Sequence, residues 1–291
     1  MNAVREAVSV RAWTESDVEY VFQSVARERW GHTRRDVERC WCLEPHGCFL
    51  AELESEPVGH VSTICYGKLG WIGLLIVNPE KRGKGIGTTL IQKAVDYLEQ
   101  AGAETIKLEA EETAVPLYRS LGFKEEFDSL RFSGRPNRLE GDVVGDGIAQ
   151  MQDEDIEGLA DLDSMCFGCV RSRVLRRLFE DDRRHCFVAK RGQRLSGYIM
   201  CREIQNAFWV GPSICENSIL SGKLLKACIS TVKDDNAQLR FGFPSLNGTM
   251  SNLMRMNEFA FTGKSIRMSY GKGEHRGFPE RVYGIAGPEK G

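Results

Sequence analysis

The chain has 291 residues, 42% of them hydrophobic and 27% charged, with a formal net charge of -2. That length suffices for two ordinary domains of about 100 to 200 residues each, and the near-neutral balance excludes a general attraction to nucleic acid or anionic membrane. The opening "MNAVREAVSVRAW" lacks the apolar core of a signal peptide and no stretch reaches the roughly 20 apolar residues of a membrane span, so the expectation is a cytoplasmic protein with no nucleic-acid or membrane partner.

Taken in chain order, "VSVRAW" predicts a strand, and "TESDVEYVFQSVARERW" a helix capped near Thr14 to Asp17. "CWCLEPHGC" then places Cys40, Cys42, His46 and Cys48 close together. Structural zinc sites pair C-x2-4-C with a second distant pair; Cys40-x-Cys42 is too tight for that, so no metal is expected. The ten cysteines read as reduced thiols. "CFLAEL", "EPVGHVSTICYG" and "LGWIGLLIVNP" predict successive strands. "PEKRGKGIGTTL" follows as a glycine-rich loop, and "TTLIQKAVDYLEQAG" predicts a helix with Leu90, Ile91, Ala94, Val95 and Leu98 on one face and a cap at Gly102. "TIKLEA" predicts a strand, "ETAVPLYRSLG" a short helix ending at Gly122, and "FDSLRFSG" a last strand. "RPNRLEGDVVGDG" is rich in glycine and charge and marks a boundary, giving domains 1–138 and 139–291.

The second half echoes the first. "MQDEDIEGLADLD" imitates "WTESDVEYVFQSV" with Asp155 in the place of Asp17, Trp209-Val210-Gly211 returns Trp71-Ile72-Gly73, and "SIRMSYG" matches "SLRFSG" with Arg267 equivalent to Arg131. Agreement at three separated places points to two copies of one fold. Cys166-x-x-Cys169 lacks the preceding pattern of a redox motif and reads as a packed turn. In "RSRVLRRLFEDDRR", Val174, Leu175, Leu178 and Phe179 form an apolar face, and Arg171, Arg173, Arg176 and Arg177 are expected on a solvated one.

The glycine loop fits neither common nucleotide motif. A Walker loop needs G-x-x-x-x-G-K-[ST], but Asn78 and Glu258 stand where the first glycine belongs; the dinucleotide pattern fails because its last glycine falls on Thr88 or Leu90. What remains is R-x-x-G-x-G, Arg82 to Gly87, at the start of a helix. Glycines there let amide N–H groups approach an anion, the helix N-terminus adds positive potential, and Lys81, Arg82 and Lys84 add charge.

This loop, with Ala114, Tyr118, Gly122 and Phe123 in "AVPLYRSLGF", resembles the GNAT family of N-acetyltransferases. The two-part layout and the closing "RVYGIAGPEKG" resemble its subgroup with a YitH/HolE-like second domain. The resemblance implies an α+β fold, tandem acyl-CoA N-acyltransferase folds each with a mixed central sheet flanked by helices. It implies acetyl-CoA as cosubstrate, held by Leu75, Ile76 and Val77 along the pantetheine arm, by Arg82, Gly83, Lys84, Gly85, Ile86, Gly87 and Thr88 at the pyrophosphate, and by Ala114. Tyr118 is implied as the acid that protonates the departing thiolate, and the acceptor as a primary amine on a small molecule, peptide or protein. The family often has asparagine where this chain has Glu111. A base remains open among Glu109, Glu111 and a water relay, with His60 and Tyr66 weaker candidates. The second copy has a shortened loop, retaining Gly222, and Met254 in the place of Tyr118, so it is expected neither to bind coenzyme nor to catalyse. A coenzyme A sensor without turnover is the alternative reading. The second domain is expected to shape the acceptor site, and a chain ended near Arg138 to keep coenzyme binding.

Overall fold

The computed structural model describes residues 8–135, 147–192, 194–234, 236–273 and 275–291. The boundary expected at Arg138 lies outside the described residues. The first copy runs β1 (Ser9–Ala12), α1 (Val18–Arg27), α2 (Arg34–Leu43), β2 (Phe49–Leu53), β3 (Glu56–Cys65), β4 (Leu69–Val77), α3 (Ile86–Gln100), β5 (Thr105–Ala110), α4 (Val115–Ser120) and β6 (Lys124–Gly134). The second repeats this order as β7 (Ile148–Gln150), α5 (Asp155–Phe167), α6 (Ser172–Asp181), β8 (Phe187–Arg191), β9 (Arg194–Ile204), β10 (Ala207–Cys215), α7 (Ser218–Ser230), β11 (Leu239–Pro244), α8 (Gly248–Met256) and β12 (Ala260–Gly271). A short β13 (Val282–Gly284) has no counterpart among the described residues of the first copy. The architecture is the expected α+β one.

The repeat extends to side-chain detail. Asp17 accepts the Thr14 amide at 2.7 Å at the entry to the first helix of copy one, and Asp155 accepts the Gln152 amide at 2.9 Å at the same place in copy two. Both carboxylates satisfy amides that a helix start leaves without intrahelical partners.

The two sheets are fused by an exchange of their last strands. The order is β1-β2-β3-β4-β5-β12-β6-β11-β10-β9-β8-β7. Thus β12 of the second copy pairs antiparallel with β5, and β6 of the first pairs antiparallel with β11, while β6 and β12 pair with each other in the middle. A helix-side contact reinforces the join. Asp181 of α6 takes Arg39 of α2 at 2.6 Å, Arg35 donates to the Asp181 carbonyl at 3.2 Å, and Arg173 donates to the carbonyl of Leu43. Part of the arginine stripe expected to face water is therefore spent between the copies. Arg171 departs further: it is buried and bonds both oxygens of Asp163, at 2.7 and 2.9 Å, because the turn before α6 folds it inward.

Candidate active site

The two parallel strands β4 and β5 pair only from Leu69–Ile72 to Thr105–Leu108. Beyond that a bulge bends β4: His60 faces Ile76 and Ser62 faces Gly73, three steps of β4 against two of β3. Leu74 sits at the bulge with φ +47, a conformation that costs a branched side chain on the order of 1–3 kcal/mol. The result is a wedge whose β4 wall, Gly73 to Val77, has no partner strand on the β5 side among the described residues. Leu75 and Val77 are half-buried along that wall, while Ile76 is buried on the opposite face with Trp13 and Leu50. Ile76 therefore offers the wedge its backbone and not its side chain.

The glycine loop stands at the mouth of this wedge. Gly83 and Gly85 have φ +79 and +84, with open space where a side chain would begin. The first helical bond closes from the Thr89 amide to the Gly85 carbonyl at 3.0 Å. The amides of Gly83 through Thr88 make no backbone bond among the described residues, so a row of N–H donors meets the positive end of α3. Lys84 is exposed, whereas Ile86 is a core residue at 1% exposure. Arg82 is a brace as well as a cation: Nε donates to the Val77 carbonyl at 3.0 Å and Nη2 to Glu28 at 2.6 Å.

Tyr118 lies on α4, buried, packed edge-on against Phe123 at 5.8 Å between centroids. Its ring, with Leu75 and Ala114, lines a cavity of about 540 Å³ that opens from the wedge towards the second copy. The hydroxyl makes no hydrogen bond among the described residues. Burial, then the charge of Glu111, pushes its pKa up, so the phenol is held protonated.

The two candidate bases part company. Burial opposes ionisation of Glu109, but Arg267 at 2.6 Å, Arg131 at 2.9 Å and the Ser265 hydroxyl hold its pKa down at about 2. A carboxylate so neutralised is a poor proton acceptor. Glu111 is exposed to the cavity and takes one hydrogen bond, from Trp30 Nε1 at 2.8 Å. His60 is fully buried between Trp13 and Tyr20, its pKa lowered to about 3 by burial, away from the cavity. Tyr66 is also buried and donates to the Lys290 carbonyl at 2.8 Å. Neither reaches the site. Cys40 and Cys48 are buried and Cys42 is exposed, and among the described residues no three His, Cys, Asp or Glu side chains gather as a metal site.

The rest of the cavity wall comes from residues that no local motif marks. The loop of Trp30, Gly31 and His32 covers it on one side, and Arg202, Trp209 and Arg240 of the second copy close the other. The backbone favours glycine at Gly31, whose φ is +84, and the Arg240 guanidinium packs against it, 2.5 Å from where a Cβ would begin. An arginine inside the apolar strand "LRFGFP" was the available signal for this wall.

In the second copy, the equivalent wedge is filled. β10 and β11 pair from Phe208–Val210 to Leu239–Phe241 and then diverge at a bulge between Val210 and Ser213. Here β13 enters and pairs antiparallel with β10, Ser213 facing Gly284. The Ile285 amide bonds the Gly242 carbonyl at 2.8 Å, and Asn247 donates to the Val282 carbonyl at 3.1 Å. The equivalent tryptophans both clamp this segment: Trp209 Nε1 donates to the Ile285 carbonyl and Trp71 Nε1 to the Pro288 carbonyl, each at 2.9 Å.

Comparison with known proteins agrees with this geometry. Residues 11–123 match the model of the acetyltransferase (GNAT) family, and residues 159–284 match a second acetyltransferase (GNAT) domain model. The holothin acyltransferase of Pseudoalteromonas sp. (strain SANK 73390) is 25% identical over 91% of this chain and 88% of its own length. The uncharacterised N-acetyltransferase YitH of Bacillus subtilis (strain 168) is 23% identical over 57% of this chain and 58% of its own. The fold is shared with a solved acetyltransferase candidate from Pyrococcus horikoshii, at a TM-score of 0.83 and 21% identity over 100% of this chain and 98% of that one. With a family domain matched in each half and the tandem fold in place, the chain belongs to the GNAT acetyltransferases, as a two-domain acyltransferase enzyme.

Proposed function

We propose that the chain transfers an acetyl group from acetyl-CoA to a primary amine, using the first copy's wedge alone. The observation that carries this reading is a β4 edge, unpartnered among the described residues, that runs from the free amides of Gly83 to Thr88 beside Val77 to the cavity lined by Leu75 and Tyr118, whose hydroxyl is unbonded. The β4 edge from Gly73 to Val77 can hydrogen-bond an extended amide-bearing arm as another strand would. The loop amides and Lys84 suit a pyrophosphate.

Three groups then divide the chemistry. Glu111 takes a proton from the acceptor ammonium, directly or through water, because an amine attacks only when neutral and a lysine-like amine has a pKa near 10.4. A backbone N–H at the β4 bulge stabilises negative charge developing on the carbonyl oxygen. Tyr118, held protonated, donates to the leaving sulfur. Calorimetry with acetyl-CoA, coupled to thiol release with a panel of amines, tests the reading. Binding at one site per chain with turnover on an amine supports it; binding without turnover on any amine favours the sensor.

A further inference from the structure

The internal repeat sets Arg240 of β11 against Lys107 of β5. Lys107 faces Trp71 on one side and Ser269 on the other; Arg240 faces Trp209 and Ser133. The correspondence continues to Glu126 and Thr262. Each is the extra residue of a bulge where β6 and β12 pair: Glu126 falls between the Arg267–Phe127 and Met268–Glu125 pairs, Thr262 between the Phe261–Phe132 and Gly263–Arg131 pairs. In the first copy the bulge residue neutralises the cation, since Glu126 lies 3.1 Å from the buried Lys107 ammonium. In the second copy the cation is kept and the carboxylate is replaced by threonine. Arg240 and Thr262 both line the cavity, and Arg240 is half-buried with no hydrogen bond or ion pair among the described residues.

We propose that the acceptor brings the missing carboxylate. The acceptor is then an amine that also bears a carboxylate, of the amino-acid or short-peptide class, with its carboxylate on Arg240 beside the Thr262 hydroxyl and its amine turned towards Glu111 and Tyr118. This rests on the acetyl-transfer reading of the cleft. A guanidinium withdrawn from water without a counter-ion is costly, and its planar fork matches a carboxylate in two parallel hydrogen bonds. Of the other arginines and lysines of the wall, Arg131 is engaged by Glu109, Arg202 by Asp36 at 3.2 Å and the Ala286 carbonyl at 2.8 Å, and Lys264 by Asp128 at 3.1 Å, while Arg29 is exposed and keeps its water. A volume of about 540 Å³ is that of a small-molecule site, sufficient for a short peptide.

The test uses the full chain and begins with acetyl-CoA calorimetry, which reports the donor site by itself. Free amino acids and dipeptides, their carboxamides and the corresponding decarboxylated amines are then compared by thiol release and, in the presence of coenzyme A, by binding. The expected result is a preference for carboxylate over carboxamide of about 10-fold to 100-fold in kcat/KM, the usual worth of a charge-assisted pair. Arg240→Met should erase that ratio and Arg240→Lys retain part of it. Thr262→Glu, which restores the first copy's arrangement, should weaken the carboxylate-bearing acceptors selectively. All three should leave acetyl-CoA affinity unchanged. A wild-type ratio near one, a ratio that survives Arg240→Met, or a panel in which no carboxylate-bearing amine is bound or acetylated overturns the proposal while the donor reading stands. A wild-type chain that binds no acetyl-CoA overturns the donor reading and this proposal with it.

Discussion

The two wedges of this molecule share a backbone plan and differ in what occupies them. Each has a tryptophan before a bulge, a parallel neighbour that pairs for a few residues, and a divergence beyond. The first leaves its β4 edge unpartnered and sets a row of free amides at the mouth; the second fills its edge with β13. The difference teaches that a splayed parallel pair leaves backbone groups that need partners, from water, a ligand or the chain itself. The second obtains them from its own chain, and in the reading proposed above the first obtains them from the bound coenzyme. The strand exchange gives the second copy a part in the first, since it supplies β12 to the first copy's sheet and Arg240 to the cavity.

The most drastic way to break the comparison is to separate its halves. A chain ended after Arg135 retains every element of the first copy but deprives β6 of both its neighbours, β11 and β12, and exposes the β5 edge. We expect it not to fold, reversing the expectation that such a truncation keeps coenzyme binding. A soluble truncated chain with cooperative thermal unfolding would show the halves to be separable after all.

Next in size is the donor loop. Gly85→Glu forces a side chain into φ +84 and places a carboxylate among the free amides, so acetyl-CoA binding should be lost altogether. Calorimetry on the parent chain should give a stoichiometry near one. Two sites of similar affinity would mean that β13 leaves the second wedge.

Tyr118→Phe removes only a hydroxyl. Acetyl-CoA affinity should persist while turnover falls about 100-fold to 10,000-fold, the span of general acid catalysis. Unchanged turnover would show that the thiolate departs without this proton.

Much of the first wedge was legible because its residues are close in sequence and constrained in type. Gly83 and Gly85 announce positive φ, and Tyr118 with Gly122 and Phe123 form a local pattern. The strand exchange was not legible, because β6 and β12 carry the same "S-[LI]-R" motif and can pair in either sheet by pattern alone. The separation of Glu109 from Glu111 depended on that exchange. Arg131 and Arg267 come from the exchanged strands, and both converge on the one carboxylate. The cavity wall at Arg240 is assembled from residues as far apart as Arg29 and Glu289, beyond the reach of local spacing.

The smallest expected effect concerns whether the fused sheet makes one cooperative unit. His60 and His32, both of the first copy, are buried, and burial lowers their pKa values to about 3 and about 4. In the unfolded chain each takes a proton near pH 6.5, so below that pH the unfolded state binds more protons and stability falls. The loss begins as pH drops through 6.5 and continues towards the folded values, at most about 1.4 kcal/mol per pH unit for each histidine. His60 and His32 sit in the first copy and His185, also lowered by burial, in the second, so the coupling through β12 and β6 is read from what a change at His60 alone does to both sheets. Hydrogen exchange followed from pH 6.5 to pH 4.5 should therefore show amides of β4 and β10 losing protection together, and His60→Leu should flatten the slope for both. Loss of protection in β4 alone would show that the copies open independently despite the exchanged strands.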